Sequence, residues 1–116
     1  MNQEIKEKWI EALLSGNYKQ GQNYLRDSGE QFCCLGVLCD LYVKEGHGQW
    51  EKEGHYWRLG GRNGFLSGPV MEWAGLTSSC GWEIQEYEND EDKSLVQMND
   101  SGRTFVEIAE KIKEVL

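Results

Sequence analysis

The chain has 116 residues, 39% of them hydrophobic and 28% charged, which is enough for one folded domain with a single modest core. Its 20 acidic and 12 basic residues leave a net charge of −8. That balance disfavours a nucleic-acid polymer as partner, because such binding rests on neutralising phosphates with Lys and Arg. No apolar run approaches the ~20 residues of a membrane helix, and the opening Met1 to Lys8 lacks the basic-then-apolar pattern of an export signal.

In chain order, residues 4–15 read as an amphipathic helix, with Ile5, Trp9, Ala12 and Leu13 at helical spacing, a Glu4/Lys8 pair one turn apart and Gly16 as the stop. Asn17 to Arg26 reads as a loop or short strand, and Asp27 to Glu30 as a turn. Residues 32–44 are apolar on nearly every face and predict a buried central helix. The glycine-rich stretch 46–68 predicts loops and a short ribbon around 49–58. Pro69 suits the first position of a helix over 69–75. Alternation from Trp82 to Tyr87, a turn at Asn89 to Asp92 and a returning segment from Leu95 to Met98 predict a strand pair. Thr104 and Glu107 form a capping box for a helix over 105–115. The fold class expected is α+β: one domain over 1–116, with three to four helices around the buried central one and a small antiparallel sheet.

Cys33, Cys34 and Cys39 sit inside the apolar run, and at least two of them are expected as reduced, packed thiols of a protein in the cytoplasm, with Cys80 the most exposed. Cysteine catalysis would pair Cys39 or Cys80 with His47 or His55, but an apolar neighbourhood raises a thiol's pKa and works against it. No Cys-x-x-Cys spacing supports zinc, so neither a metal nor any other cofactor is expected.

Four fragments carry a resemblance: Trp9 to Leu13 with Ser15-Gly-Asn-Tyr-Lys-Gln20; Phe32-Cys-Cys-Leu-Gly-Val-Leu-Cys-Asp40; Val70-Met-Glu-Trp-Ala-Gly-Leu76; and Met98-Asn-Asp-Ser-Gly-Arg-Thr-Phe-Val-Glu-Ile-Ala109. In that order they resemble small uncharacterised proteins encoded by phages and prophages. The resemblance implies the cytoplasm of an infected bacterium and an accessory, counter-defence role. It transfers no catalytic residues.

The aromatic excess gives the sharper clue to chemistry. Trp50, Tyr56 and Trp57 lie beside Arg58 and Arg62, and rings stack on bases while guanidinium pairs with phosphate. Gly60 to Gly64 offers backbone amides for an anion beside the same arginines. The expectation is therefore a non-enzymatic binder that sequesters a small nucleotide-derived immune signal, of cyclic-nucleotide or ADP-ribose type. Trp50, Tyr56 and Trp57 would stack, Arg58, Arg62 and Lys19 would meet phosphates, and Tyr18, Gln20, Asn99 and Asp100 would contact ribose or base. A homo-oligomer fits such a sequestering role. Against this stands the plainer reading, in which the rings cover a thin core and Asn99-Asp100 caps a local turn. Two alternatives also stay open. One is an inhibitor docking on a host defence protein through aromatic residues or the acidic run Glu83, Glu86, Glu88, Asp90, Glu91 and Asp92. The other is a small Cys- or carboxylate-dependent hydrolase of the same signals.

Overall fold

Helix α1 (Gln3–Leu14) begins where the Asn2 side chain accepts a hydrogen bond from the Ile5 amide at 3.0 Å. It buries Ile5, Trp9 and Leu13, spaced as the sequence pattern requires. The computed structural model describes residues 1–84 and 93–116. The expected continuation of a strand through residues 85–87, the turn at 89–92 and five of the six acidic-run residues, Glu86 to Asp92, lie outside the described residues.

After α1 the chain lays down β1 (Lys19–Gln20), β2 (Arg26–Asp27) and β3 (Gln31–Phe32), each two residues long. It then enters the central helix α2 (Cys34–Lys44). A ribbon follows, β4 (Glu51–Glu53) and β5 (Tyr56–Arg58), where the glycine-rich stretch predicted one. The five strands form one sheet in the order β1-β3-β2-β5-β4. The β1–β3 pair is parallel, so the sheet is mixed where an antiparallel one was expected. The cause is the β2–β3 hairpin: it folds β3 back between β1 and β2, so that β3 runs beside β1 in the same direction. In the hairpin's three-residue turn, Glu30 adopts a left-handed φ of 59° and the Asp27 carboxylate accepts from the Gly29 and Gln31 amides at 2.8 and 3.0 Å.

Helices α3 (Gly68–Ala74), α4 (Leu95–Asp100) and α5 (Phe105–Val115) complete the α+β domain. Leu95 to Met98 was expected as a returning strand and is instead the start of α4, which brings the helices of the described residues to five. Ser94 accepts from the Gln97 amide at 3.1 Å, and Leu95, Met98 and Asn99 are buried at helical spacing. Only the Glu83–Ser94 bridge remains of the predicted strand pair among the described residues. The core gathers α1, α2, α4 and α5 around Trp9, Leu35, Leu38, Leu95, Ile108 and Ile112.

The capping box of α5 has the expected geometry, with Thr104 Oγ1 accepting from the Glu107 amide and Glu107 accepting from the Thr104 amide, both at 3.2 Å. The Thr104 backbone and hydroxyl, with Arg103 adding to them, hold the Glu107 carboxyl below its usual value. A depressed folded pKa contributes stability that is complete above the unfolded value and lost as pH falls through the folded one. The urea midpoint of Glu107→Gln is therefore expected to lie below that of the native chain at pH 7, and the gap to narrow as pH falls through the carboxylate range. A gap that does not change with pH would contradict the ionic share of the cap.

Candidate functional site

The sheet register sorts the sequence candidates onto two faces, because side chains directly opposite one another across strands share a face. On one face the partners run Gln20, Phe32, Arg26, Trp57 and Lys52. This face turns toward the core. Phe32 is buried, and Trp50 donates its indole N–H to Asp40 of α2 at 3.1 Å. The Arg26 guanidinium lies 4.2 Å from the Trp57 ring centroid and 5.7 Å from those of Phe32 and Trp50. Trp50 and Trp57 thus already hold a cation from their own chain. Tyr18 joins this side. It packs edge-on against Phe32, donates to Asp40 Oδ2 at 2.6 Å and accepts from Lys44 at 3.1 Å. Burial first, then the Asp40 bond, raises the Tyr18 pKa, which keeps the hydroxyl a donor.

The opposite face carries the row Lys19, Gln31, Asp27, Tyr56 and Glu53. Tyr24 stacks on Tyr56 with ring centroids 4.8 Å apart and planes within 8°. Arg58, two residues along β5, shares this face, but its charge is engaged by Glu53 at 2.9 Å and Glu51 at 3.6 Å. Arg62 and Lys19 are exposed and make no ion pair among the described residues. Gly60 and Gly61, both left-handed at φ 60° and 80°, form a two-residue hairpin turn in which Leu59 and Arg62 exchange backbone hydrogen bonds. The 59–62 segment is thereby a turn closing on itself, and the Asn63 carbonyl beyond it accepts from the Leu25 amide at 2.6 Å.

Where this row meets the α4–α5 turn there is a recess of about 480 Å³, lined by Gln20, Gly21, Gln22, Asp27, Gln31 and Gly102. The size suits a small ligand. Its floor is rigid. Gln20 donates to Asn99 Oδ1 at 2.9 Å and to the Arg103 carbonyl at 2.7 Å, and accepts from the Phe105 amide at 3.1 Å. Asn99, fully buried, accepts from the Cys34 amide at 3.1 Å and donates to the Gly21 carbonyl at 2.8 Å. Asp100 accepts from the Asn23 amide at 2.9 Å. The polar atoms of Gln20 and Asn99 are thus spent inside the protein. Both residues support the recess, and Gln20 also forms part of its wall.

The ten candidates therefore do not meet at one place. Lys19, Gln20 and Tyr56 stand along or beside the recess, Asn99 and Asp100 stand behind it, Arg58 and Arg62 lie further along the ribbon, and Trp50, Trp57 and Tyr18 face the other way. Asp27, Gln31, Gln22 and Tyr24 were not singled out from the sequence. The signal for Asp27 and Gln31 lay in the turn itself. A hairpin turn over 28–30 puts its two flanking residues opposite each other on one face.

The thiols are placed for packing. Cys33, Cys34 and Cys39 are buried and Cys80 is partly exposed. Burial pushes Cys33 up to about 12 and raises Cys34 and Cys39 well above the ordinary thiol range, while burial and then Glu83 raise Cys80. A thiol held protonated is a poor nucleophile. His47 packs beside the Tyr42 and Trp73 rings, with centroids 5.3 and 5.9 Å away. Among the described residues no group of three His, Cys, Asp or Glu is placed to hold a metal ion, and no helix is long and apolar enough to cross a membrane. Under native conditions Cys80 should react first with a thiol reagent, and all four cysteines only in denaturant; fast native labelling of Cys33, Cys34 or Cys39 would refute this burial.

The family model described as a domain of unknown function, DUF8296, matches residues 1–116, and the chain belongs to that family. No curated protein and no solved structure matches it.

Proposed function

We propose that the domain is a non-enzymatic binder that sequesters a small nucleotide-derived signal, serving a phage as a counter-defence protein. The ligand lies along the outer sheet face, with its ring against the Tyr24–Tyr56 pair and its phosphate toward Lys19. One observation carries the reading: a recess of about 480 Å³ opens in the same cross-strand row that presents Tyr56, whose neighbour on that row is Asp27. A stacked tyrosine pair offers a flat surface for a third ring, and stacking contributes ~1–3 kcal/mol per base. Lys19, which makes no ion pair among the described residues, ends the row and supplies a cation where the acidic chain has few to spare. This relocates the stacking role from Trp50 and Trp57, whose faces meet Arg26, to Tyr56.

Calorimetry with cyclic dinucleotides, cyclic mononucleotides and ADP-ribose-type molecules tests the reading. At least one should bind in the micromolar range, and Tyr56→Ala should weaken it about tenfold or more with little change in Tm. Absence of any binding tighter than about millimolar, a level worth only ~4 kcal/mol, would overturn the reading.

A further inference from the structure

The recess is lined by carboxamides and one carboxylate, with no Lys or Arg among its walls. A phosphate would find no cation inside it. A neutral group rich in hydrogen-bond donors would find several acceptors. Asp27 uses Oδ1 for the Gly29 and Gln31 amides. Its Oδ2 accepts nothing among the described residues. Gln31 stands directly across from Asp27, and its carboxamide makes no side-chain hydrogen bond among the described residues. The Gln22 carboxamide donates to the Asn99 carbonyl only at 3.5 Å, and its oxygen accepts nothing among the described residues. Gly102 adds no side chain to the wall and has open space beside its backbone, so a planar ring can approach there, whereas the Gln31 side chain already covers Gly21.

From this lining we infer that the recess reads the edge of an amino-bearing nucleobase. Asp27 Oδ2 accepts from the exocyclic amine of adenine, guanine or cytosine. The Gln31 and Gln22 carboxamides each supply one donor and one acceptor for the neighbouring ring positions. Uracil carries a carbonyl where cytosine carries the amine, and that carbonyl would face the carboxylate. The inference rests on the nucleotide-binding reading above and adds a base preference to it.

The test is calorimetry with AMP, GMP, CMP and UMP on the native chain and on Asp27→Asn. Asparagine keeps an oxygen for the Gly29 and Gln31 amides, so the turn survives, but it can present a donor where Oδ2 was. The three amino-bearing nucleotides are expected to bind about tenfold or more tighter than UMP, the scale set by one hydrogen bond to a charged group. Asp27→Asn should narrow or invert that ratio, and binding of AMP should shift the Gln22 and Gln31 side-chain amide signals in NMR. Equal affinity for UMP and the other three, or a ratio untouched by Asp27→Asn, would overturn the base preference and leave the nucleotide reading standing. No binding by any of the four or by the signals tested above would overturn both.

Discussion

Gly36→Ala is expected to destabilise the fold severely. Gly36 lies in the first turn of α2, where an alanine would ordinarily stabilise a helix by ~1 kcal/mol. Here the added Cβ would stand 1.7 Å from the Leu25 carbonyl oxygen and 2.6 Å from its carbon. Both atoms belong to backbone that cannot yield cheaply. The Leu25 amide is held by the Asn63 carbonyl at 2.6 Å, and the Leu25 side chain is fully buried. On the other side, α2 is held by the Trp9 indole, which donates to the Cys34 carbonyl at 2.9 Å. Steric overlap outweighs propensity, and we expect a loss of about 4 kcal/mol or more, a large part of the ~5–15 kcal/mol a domain has. The control is Gly68→Ala, at the start of α3, where a Cβ meets nothing within 4 Å and the change should be close to neutral. Thermal melts of the two variants settle the matter; a Gly36→Ala protein melting within a few degrees of the native chain would contradict this close approach.

The same contact shows what a single sequence reveals and what it withholds. Helices α1 and α5 were legible because their signals are local: Ile5, Trp9 and Leu13 repeat at helical spacing, and Thr104 and Glu107 cap each other three residues apart. The ribbon over 51–58 was legible from its punctuation by Gly46, Gly48, Gly54 and Gly60. Gly36 within an apolar helix has no local explanation, since what requires it is Leu25, eleven residues earlier in the segment leading into β2. Helix α4 was misread because Leu95 and Met98 fit a short strand as well as one helical turn, and the deciding signals are the Ser94 cap and the burial of Asn99. The candidate site was half legible. Tyr56, Lys19 and Gln20 follow from residue type, but which side of the sheet each ring faces depends on strand register. Register placed Trp57 against Arg26 and Tyr56 beside Asp27, on opposite faces. Proximity in sequence had grouped them.

Asn99→Ala is expected to lower stability by about 3 kcal/mol, or a Tm drop of ~12 °C at this chain length. Three of the four quoted resemblance fragments meet at this residue: Gln20 from the first, Cys34 from the second and Asn99 itself from the last. Helix α2 has Cys33 at its N-cap, which makes no side-chain capping bond. Asn99 Oδ1 takes that role from 65 residues away by accepting the Cys34 amide. Gln20 does the same for the first amide of α5, at Phe105, while bonded to Asn99. One carboxamide pair thus satisfies the starts of two helices and the Gly21 carbonyl, with the Cys34 and Gly21 bonds buried and the Phe105 bond partly so. Truncating Asn99 leaves the Cys34 amide and the Gly21 carbonyl unpaired, each at ~1–3 kcal/mol, and the solvent cannot replace the lost partner without entering the core. Because Gln20 and Asn99 act as one unit, a double-mutant cycle with Gln20→Ala should be non-additive by ~1–3 kcal/mol. Additive losses, or an Asn99→Ala protein as stable as the native chain, would mean that these helix starts are satisfied by other means.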